Sequence, residues 1–333
     1  MGFAEGDLRA LIPMWYASSV FCTMSSKILV HDVFPSAYWL TFVQFCVATL
    51  LGRIVVFLKD GRAPVSVPLG SKMWSDFVAL AGTFSLGMMS LNQGYTLMSV
   101  SLVETLRATE PAVSLLLALL LLPGDTPSAA KRICIVPIVL GACLSSAGSV
   151  DFNVRGFAWV VVSNICFCMR TIQYKEASRK YQMNDWNLFY HICQLGIAFQ
   201  LFFGVLGDAE GLVACCRCLA RLMQTGPSAL ELHTASVVLV NGALYYAYLL
   251  YSWLVLMKVQ VVTHAVCNCM RRPVVLVCNV IYFRNHITLV NAGGILCAFL
   301  GLLLYTRGGV PYRQAPRRRA TLVALETAYA EAP

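Results

Sequence analysis

Ten apolar stretches, each about as long as a bilayer crossing and joined by short connections, constrain this chain more than any other feature. They run 10–29, 36–58, 74–96, 99–122, 132–149, 155–174, 187–207, 234–256, 259–283 and 287–306. A helix needs about 20 predominantly apolar residues to cross the hydrocarbon core. The runs are continuous rather than alternating, which argues against a transmembrane β-barrel. Only 12% of the residues are charged and 58% are hydrophobic, a balance that excludes an ordinary soluble domain. The expected fold is an all-α polytopic membrane protein of ten transmembrane helices. Residues 1–9 form a short cytosolic N-terminus, 10–307 the ten-helix domain and 308–333 a polar, disordered cytosolic tail.

Ten crossings put both termini on one side, and the distribution of lysine and arginine says which. With the N-terminus in the cytosol, 16 of the 25 basic residues fall on that face, whereas the opposite face keeps Arg155, Arg217, Arg221 and Arg284. This asymmetry accounts for most of the net charge of +9 without a nucleic-acid partner. Most of the 14 cysteines lie inside spans as small apolar residues. Cys215, Cys216 and Cys218 sit together in the long non-cytosolic loop, where a disulfide, a metal or simply a thiol-rich loop are open readings. No paired CxxC spacing occurs, the histidines are scattered, and neither a metal nor a cofactor is expected.

The span from Val262 to Phe283, VTHAVCNCMRRPVVLVCNVIYF, carries Arg271 and Arg272 in its middle. One arginine at the centre of a spanning helix costs about 2.5–3.5 kcal/mol, so the pair needs an anion. Ser101 to Leu122 aligns on Thr263 to Arg284 without a gap and brings Pro111 onto Pro273; the small-residue ends Gly141 to Gly148 and Gly301 to Gly308 also correspond. Equivalent spans are then five apart, an odd number. Halves of about 10–149 and 155–307 so related have opposite topology, the inverted-repeat plan of secondary transporters, with the substrate site between them. That plan sets Arg107 against Arg271 and Arg272 across the pseudo-two-fold axis.

Five cations lie within spans: Lys27, Arg107, Arg170, Arg271 and Arg272. The intramembrane carboxylates are Glu104 and Glu110, which with Arg107 are spaced three apart on one helical face and can neutralise it locally. They can equally reach Arg271 and Arg272. Either way the cations are in excess by about three, or about two with Lys27 snorkelling to an interface. A phosphate dianion satisfies such an excess, and arginine's planar fork suits it. Neutral donors to complete the pocket are Tyr248, with Tyr245, Tyr246 and Tyr251 of the same span, Asn268 and Asn92; Tyr245, Tyr246 and His264 also fit plain interface packing.

VTHAVCNCMRR followed by VNAGGILCAFLGLLLYTR, with VSLVETLRATEP, SNICFCMRTIQYK and Ser26-Lys27-Ile28-Leu29 before Phe34-Pro35, resembles the triose-phosphate and sugar-phosphate translocators of the drug/metabolite transporter superfamily, relatives of the nucleotide-sugar transporters. The likeness runs in order over residues 10 to 307. It implies that Arg107, Arg271, Arg272 and Tyr248 hold the phosphate group, with Phe167 and Arg170 from the sixth span beside them. In the third span the triose-phosphate carriers have a histidine and a threonine where this chain has Met88 and Leu91.

The expected function is therefore an antiporter that exchanges an organic phosphate, such as a triose phosphate, for inorganic phosphate across an organelle membrane. The alternative is exchange of a nucleotide sugar for a nucleoside monophosphate. Only nine residues precede the first span, which favours Golgi or endoplasmic reticulum over the plastid envelope. A lipid-phosphate transferase, which would also clamp phosphoryl groups with arginine, and a transport-incompetent relative are the rivals from other classes. No nucleophile or metal-binding cluster supports an enzyme.

Overall fold

The computed structural model describes residues 8–307 apart from 34–35, 62–63, 65–66, 68–69, 122–128, 182–184, 215–216, 218–228, 259–260 and 285–287. Eleven α-helices are delimited among the described residues, besides a short helical stretch over 209–214. In chain order these are α1 (Leu8–Ile28), α2 (Ala37–Asp60), α3 (Lys72–Leu97), α4 (Val100–Arg107), α5 (Glu110–Leu121), α6 (Ala129–Ala147), α7 (Val154–Tyr181), α8 (Asp185–Gly207), α9 (Ala229–Lys258), α10 (Val261–Phe283) and α11 (Leu289–Arg307). A wider π turn, Leu29–Val33, continues α1. The helix starts follow local chemistry: the hydroxyls of Ser36 and Ser71 accept the Trp39 and Trp74 amides, and Asn153 Oδ1 accepts the amides of Arg155 and Gly156. Gly61 ends α2 with a positive φ of 63°, a conformation other residues adopt at a cost.

Nine of the ten expected spans coincide with one helix each. The fourth, expected as a continuous run over 99–122, is instead α4 and α5, broken at Ala108 and Thr109. Pro111 contributes to the break, because it has no amide hydrogen to give the Arg107 carbonyl and its ring crowds that carbonyl. Four helices carry stretches long and apolar enough to cross a membrane: Ala37–Lys59, Val154–Tyr174, Trp186–Gly207 and Leu232–Ser252. Large apolar side chains also face outward, including Ile133, Val136, Leu140 and Leu144 of α6 and Leu296, Leu300 and Leu304 of α11. Rows of this kind suit lipid rather than water.

Between helices in lipid there is little hydrophobic drive, so close van der Waals packing over small residues takes its place. α6 and α11 pack backbone to backbone at Gly141 and Gly294, and a Cβ on Gly301 would lie 2.8 Å from the Ile138 nitrogen. Elsewhere α3 packs on α7 and α8, α2 on α8 and α9, α1 on α9 and α10, and α4 on α10. The main core is aromatic, with the Phe45 ring between Phe84 and Tyr245 and with Phe77 and Met88 in the same cluster. The ten described cysteines are free thiols. Cys215, Cys216 and Cys218, the Phe34-Pro35 turn, the tail from 308 and the His264 side chain lie outside what the structure describes.

Candidate functional site

A cavity of about 30 Å³ sits between α1, α2, α3, α4, α9 and α10, enough for about two or three waters. Its cationic side is Arg107 and Arg271, and Tyr95, Tyr245 and Tyr248 add phenol groups. Ser19, Thr23 and Ser26 of α1 supply hydroxyls, while Met88, Leu91 and Cys22 complete an apolar face. The helical period explains the α1 contribution, since positions 19, 23 and 26 fall on one stripe.

The two adjacent arginines of α10 have different surroundings. Arg271 is 6% exposed; its Nη1 donates to the Ser19 hydroxyl and its Nε to Asn268 Oδ1 at 3.3 Å. Both partners are neutral, and among the described residues no carboxylate pairs with it. Arg272 is 3% exposed and forms an ion pair with Glu110 of α5. Its Nη1 is buried without a hydrogen-bond partner. Arg107 pairs with Glu104 at 3.4 Å and lies over the Phe167 ring, 5.2 Å from its centroid. Arg170 stacks on Phe167 and Phe84 at 5.5 and 5.1 Å, contacts that hold a guanidinium through the ring quadrupole.

The two ways of neutralising the cations are thus both used, one carboxylate each. Glu104 answers Arg107 locally, and the break before Pro111 frees Glu110 to answer Arg272 across the bundle. The excess charge is spread out: the cations that line the cavity are Arg107, paired with Glu104, and Arg271, held by neutral oxygens. Lys27 does not snorkel to an interface. Its Nζ donates to the carbonyls of Tyr95 and Met98 at 2.5 and 3.0 Å, at the C-terminus of α3 where a cation is favoured.

Of the eight residues expected at the site, Arg107, Arg271, Tyr248 and Asn92 line the cavity, whereas Arg272, Arg170, Phe167 and Lys27 stand behind its walls. Asn92 also spends its amide hydrogens elsewhere, on Thr41 Oγ1 at 2.8 Å and Gln44 Oε1 at 3.1 Å. Gln44 continues to Asn241, and Asn241 to Ser25 and Ser26, so this network ties α1, α2, α3 and α9 together. Tyr245, which fitted interface packing, lines the cavity with a buried hydroxyl that has no partner. Tyr246 does pack at an interface, against Phe189. Asn268 orients Arg271 instead of facing the cavity. The residues missed from sequence are Ser19, Thr23, Ser26, Gln44 and Tyr95; a polar letter every three or four positions in the first span was the available signal. Asn164 was missed too: its amide donates to the Leu106 carbonyl at 3.2 Å and to Thr109 Oγ1 at 3.3 Å, stitching the break between α4 and α5.

Apolar helices with outward-facing leucine rows around a buried guanidinium-lined cavity define a multi-pass α-helical membrane protein. The family model of the triose-phosphate transporter family matches residues 7–306, and the chain belongs to that family. It is accordingly a transporter and not an enzyme. Phosphoenolpyruvate/phosphate translocator 1, chloroplastic, of Arabidopsis thaliana is 30% identical over 90% of this chain and 71% of its own length. The rice protein of the same name is 28% identical with the same coverage. A xylulose 5-phosphate/phosphate translocator of Arabidopsis thaliana is 26% identical over 90% of this chain and 70% of its own. One solved protein crystal structure superposes with a TM-score of 0.56 at 15% identity, covering 89% of this chain and 98% of that one, and shows a shared fold.

Proposed function

We propose that the chain is a ten-crossing antiporter that exchanges a small organic phosphate for inorganic phosphate by alternating access. The observation that carries this reading is Arg271: a buried guanidinium in a cavity, held by neutral oxygens alone, in a chain of the triose-phosphate transporter family. An anion gives that charge its partner, and Arg107 and Tyr248 are placed to share it. The cavity empty of anion leaves Arg271 uncompensated in a low dielectric, which makes reorientation without cargo costly and favours strict exchange.

The inverted repeat is supported by the packing partners. Shifting every span by five turns the contact of α1 with α9 into that of α7 with α3, and that of α2 with α9 into that of α8 with α3. The contacts of α2 with α8, of α4 with α10 and of α6 with α11 map onto themselves. A pseudo-two-fold axis between the halves has this property, and it runs beside the arginines.

Phosphate exchange is favoured over exchange of a nucleotide sugar, because the relatives named above are phosphate translocators. All three carry chloroplastic names, so a plastid envelope has more support than the Golgi or endoplasmic reticulum expected from sequence. Met88 and Leu91 give the cavity an apolar wall, which suits a small phosphorylated acid such as phosphoenolpyruvate better than a polyhydroxylated sugar.

The test is counter-exchange in liposomes. Purified protein preloaded with inorganic phosphate is offered labelled phosphoenolpyruvate, triose phosphate and hexose phosphate, with preloaded UMP or GMP and labelled nucleotide sugar in parallel. Uptake that needs internal phosphate is expected. Uptake that needs only the nucleoside monophosphate, or proceeds into empty vesicles at the same rate, overturns the reading.

A further inference from the structure

Among the described residues Glu104 is the only fully buried carboxylate, at 0% exposure. Its Oε1 accepts the Tyr95 hydroxyl at 2.6 Å and Arg107 Nη1 at 3.4 Å, whereas Oε2 is buried without a partner. The groups that face it are Tyr95 from α3, Arg107 on its own helix and Arg271 and Arg272 from α10. Tyr248 of α9 and Glu110 of α5 act on it through Arg107. Lys27 of α1 is engaged by the Tyr95 carbonyl, and Arg170 of α7 lies beyond the Phe167 ring.

Counting charge at the cavity gives an unexpected balance. Arg107 is matched by Glu104 and Arg272 by Glu110, which leaves Arg271 as the one unmatched charge on the lining. A phosphate dianion entering there leaves one negative charge uncompensated, which burial makes costly. One proton removes it. Arginine cannot supply or accept that proton near neutral pH. Glu110, with a side chain 22% exposed, is free to turn towards water, whereas Glu104 is enclosed and has an oxygen ready for a proton.

We propose that Glu104 couples this carrier to protons: each phosphate dianion is bound together with one proton, which is taken from the aqueous phase on the side of entry. The proton bonds to the free Oε2, the carboxylate becomes a carboxylic acid and Arg107 is released from its ion pair to the anion. When the anion leaves on the far side the proton returns to water and the pair re-forms. This rests on the anion-exchange reading above and adds a second cargo to it.

The experiment is calorimetric titration of the purified full-length protein with inorganic phosphate, at one pH in two buffers of different ionisation enthalpy. Wild type is compared with Glu104→Gln and with Tyr95→Phe, which keeps the carboxylate. Wild type and Tyr95→Phe should take up about one proton more per phosphate bound than Glu104→Gln, phosphate's own titration cancelling in the difference. At about pH 9, where free phosphate is dianionic, wild type should take up about one proton that Glu104→Gln does not, which separates a proton on Glu104 from phosphate bound as its monoanion. Phosphate binding with no proton uptake at that pH, or equal uptake in wild type and Glu104→Gln, overturns the coupling and leaves the anion site standing. Absence of phosphate binding to wild type overturns the site itself, and the coupling with it.

Discussion

Two proline-bearing segments that align in sequence, α4–α5 around Pro111 and α10 around Pro273, take different shapes. The first breaks two residues before Glu110 and Pro111, and α7 closes the gap with Asn164, whose amide satisfies the Leu106 carbonyl. The second runs on as one helix of 23 residues through its proline. The break redirects Glu110, which would share a face with Glu104 and Arg107 on an unbroken helix and instead meets Arg272. Continuity keeps Arg271 and Arg272 about 100° apart around the helix axis, so one faces α1 and the cavity while the other faces α5. An irregular segment next to a regular one thus divides like residues into a cavity-facing cation and a locked one.

The largest test of that division is Arg271 itself. Arg271→Ala should reduce phosphate exchange in liposomes at least about a hundredfold, the loss expected for a charged, forked contact to an anion. Arg271→Lys, which keeps the charge without the fork, should lose about tenfold. Thermal stability should not fall in either variant, since no carboxylate loses its partner. If Arg271→Ala exchanges phosphate normally, the assignment of roles is wrong.

Arg272 should behave differently. Arg272→Ala leaves Glu110 without its partner and is expected to cost roughly 2–3 kcal/mol by denaturation in detergent. Adding Glu110→Gln should restore most of that stability, a coupling that a double-mutant cycle measures. Independent, additive losses would remove the lock.

Asn164→Leu removes the hydrogen bond from α7 to the break and should destabilise by about 0.5–1.5 kcal/mol, since the Leu106 carbonyl keeps the Thr109 amide and hydroxyl as donors. Exchange should fall with it, because Glu110 loses its placement. Pro273→Ala in the unbroken segment should change neither by much, and equal effects of the two substitutions would erase the contrast.

The smallest effect lies at the C-terminal end of α7, where the exposed Lys180 bonds Asp76 at 2.6 Å. The hydrogen bonds to Asp76 and Tyr181 hold the lysine above its ordinary value. Any stabilisation is therefore present at neutral pH and is lost only as pH rises through that raised value. Lys180→Met should leave the melting temperature at pH 7 unchanged within error, as for most exposed pairs; a large shift would show that this contact contributes to stability.

Much of the site could be read before folding because charge in an apolar run is rare and expensive. Arg107, Arg271 and Arg272 stood out for that reason, and Glu104 and Glu110 were the available answers. Their pairing could not be read, since it depends on where α5 begins, and that depends on Asn164, more than fifty residues away. Lys27 misled because a basic residue near a span end normally reaches for water, whereas here the C-terminal carbonyls of α3 lie closer. Ser19, Thr23 and Ser26 carry no charge and became significant only once α1 was packed beside α10.

From its letters alone the chain determined that it is helical, that it belongs in a membrane and that it carries more buried cations than carboxylates. Those properties follow from apolar run length and from the free energy of charge in hydrocarbon, which are local. Tertiary structure decided which cation lines the cavity without a carboxylate partner, because pairing in a low dielectric is set by a few ångströms of placement between distant helices. It also decided that Glu104 is sealed away from water with one oxygen unused, since burial belongs to the packed bundle and not to any single span.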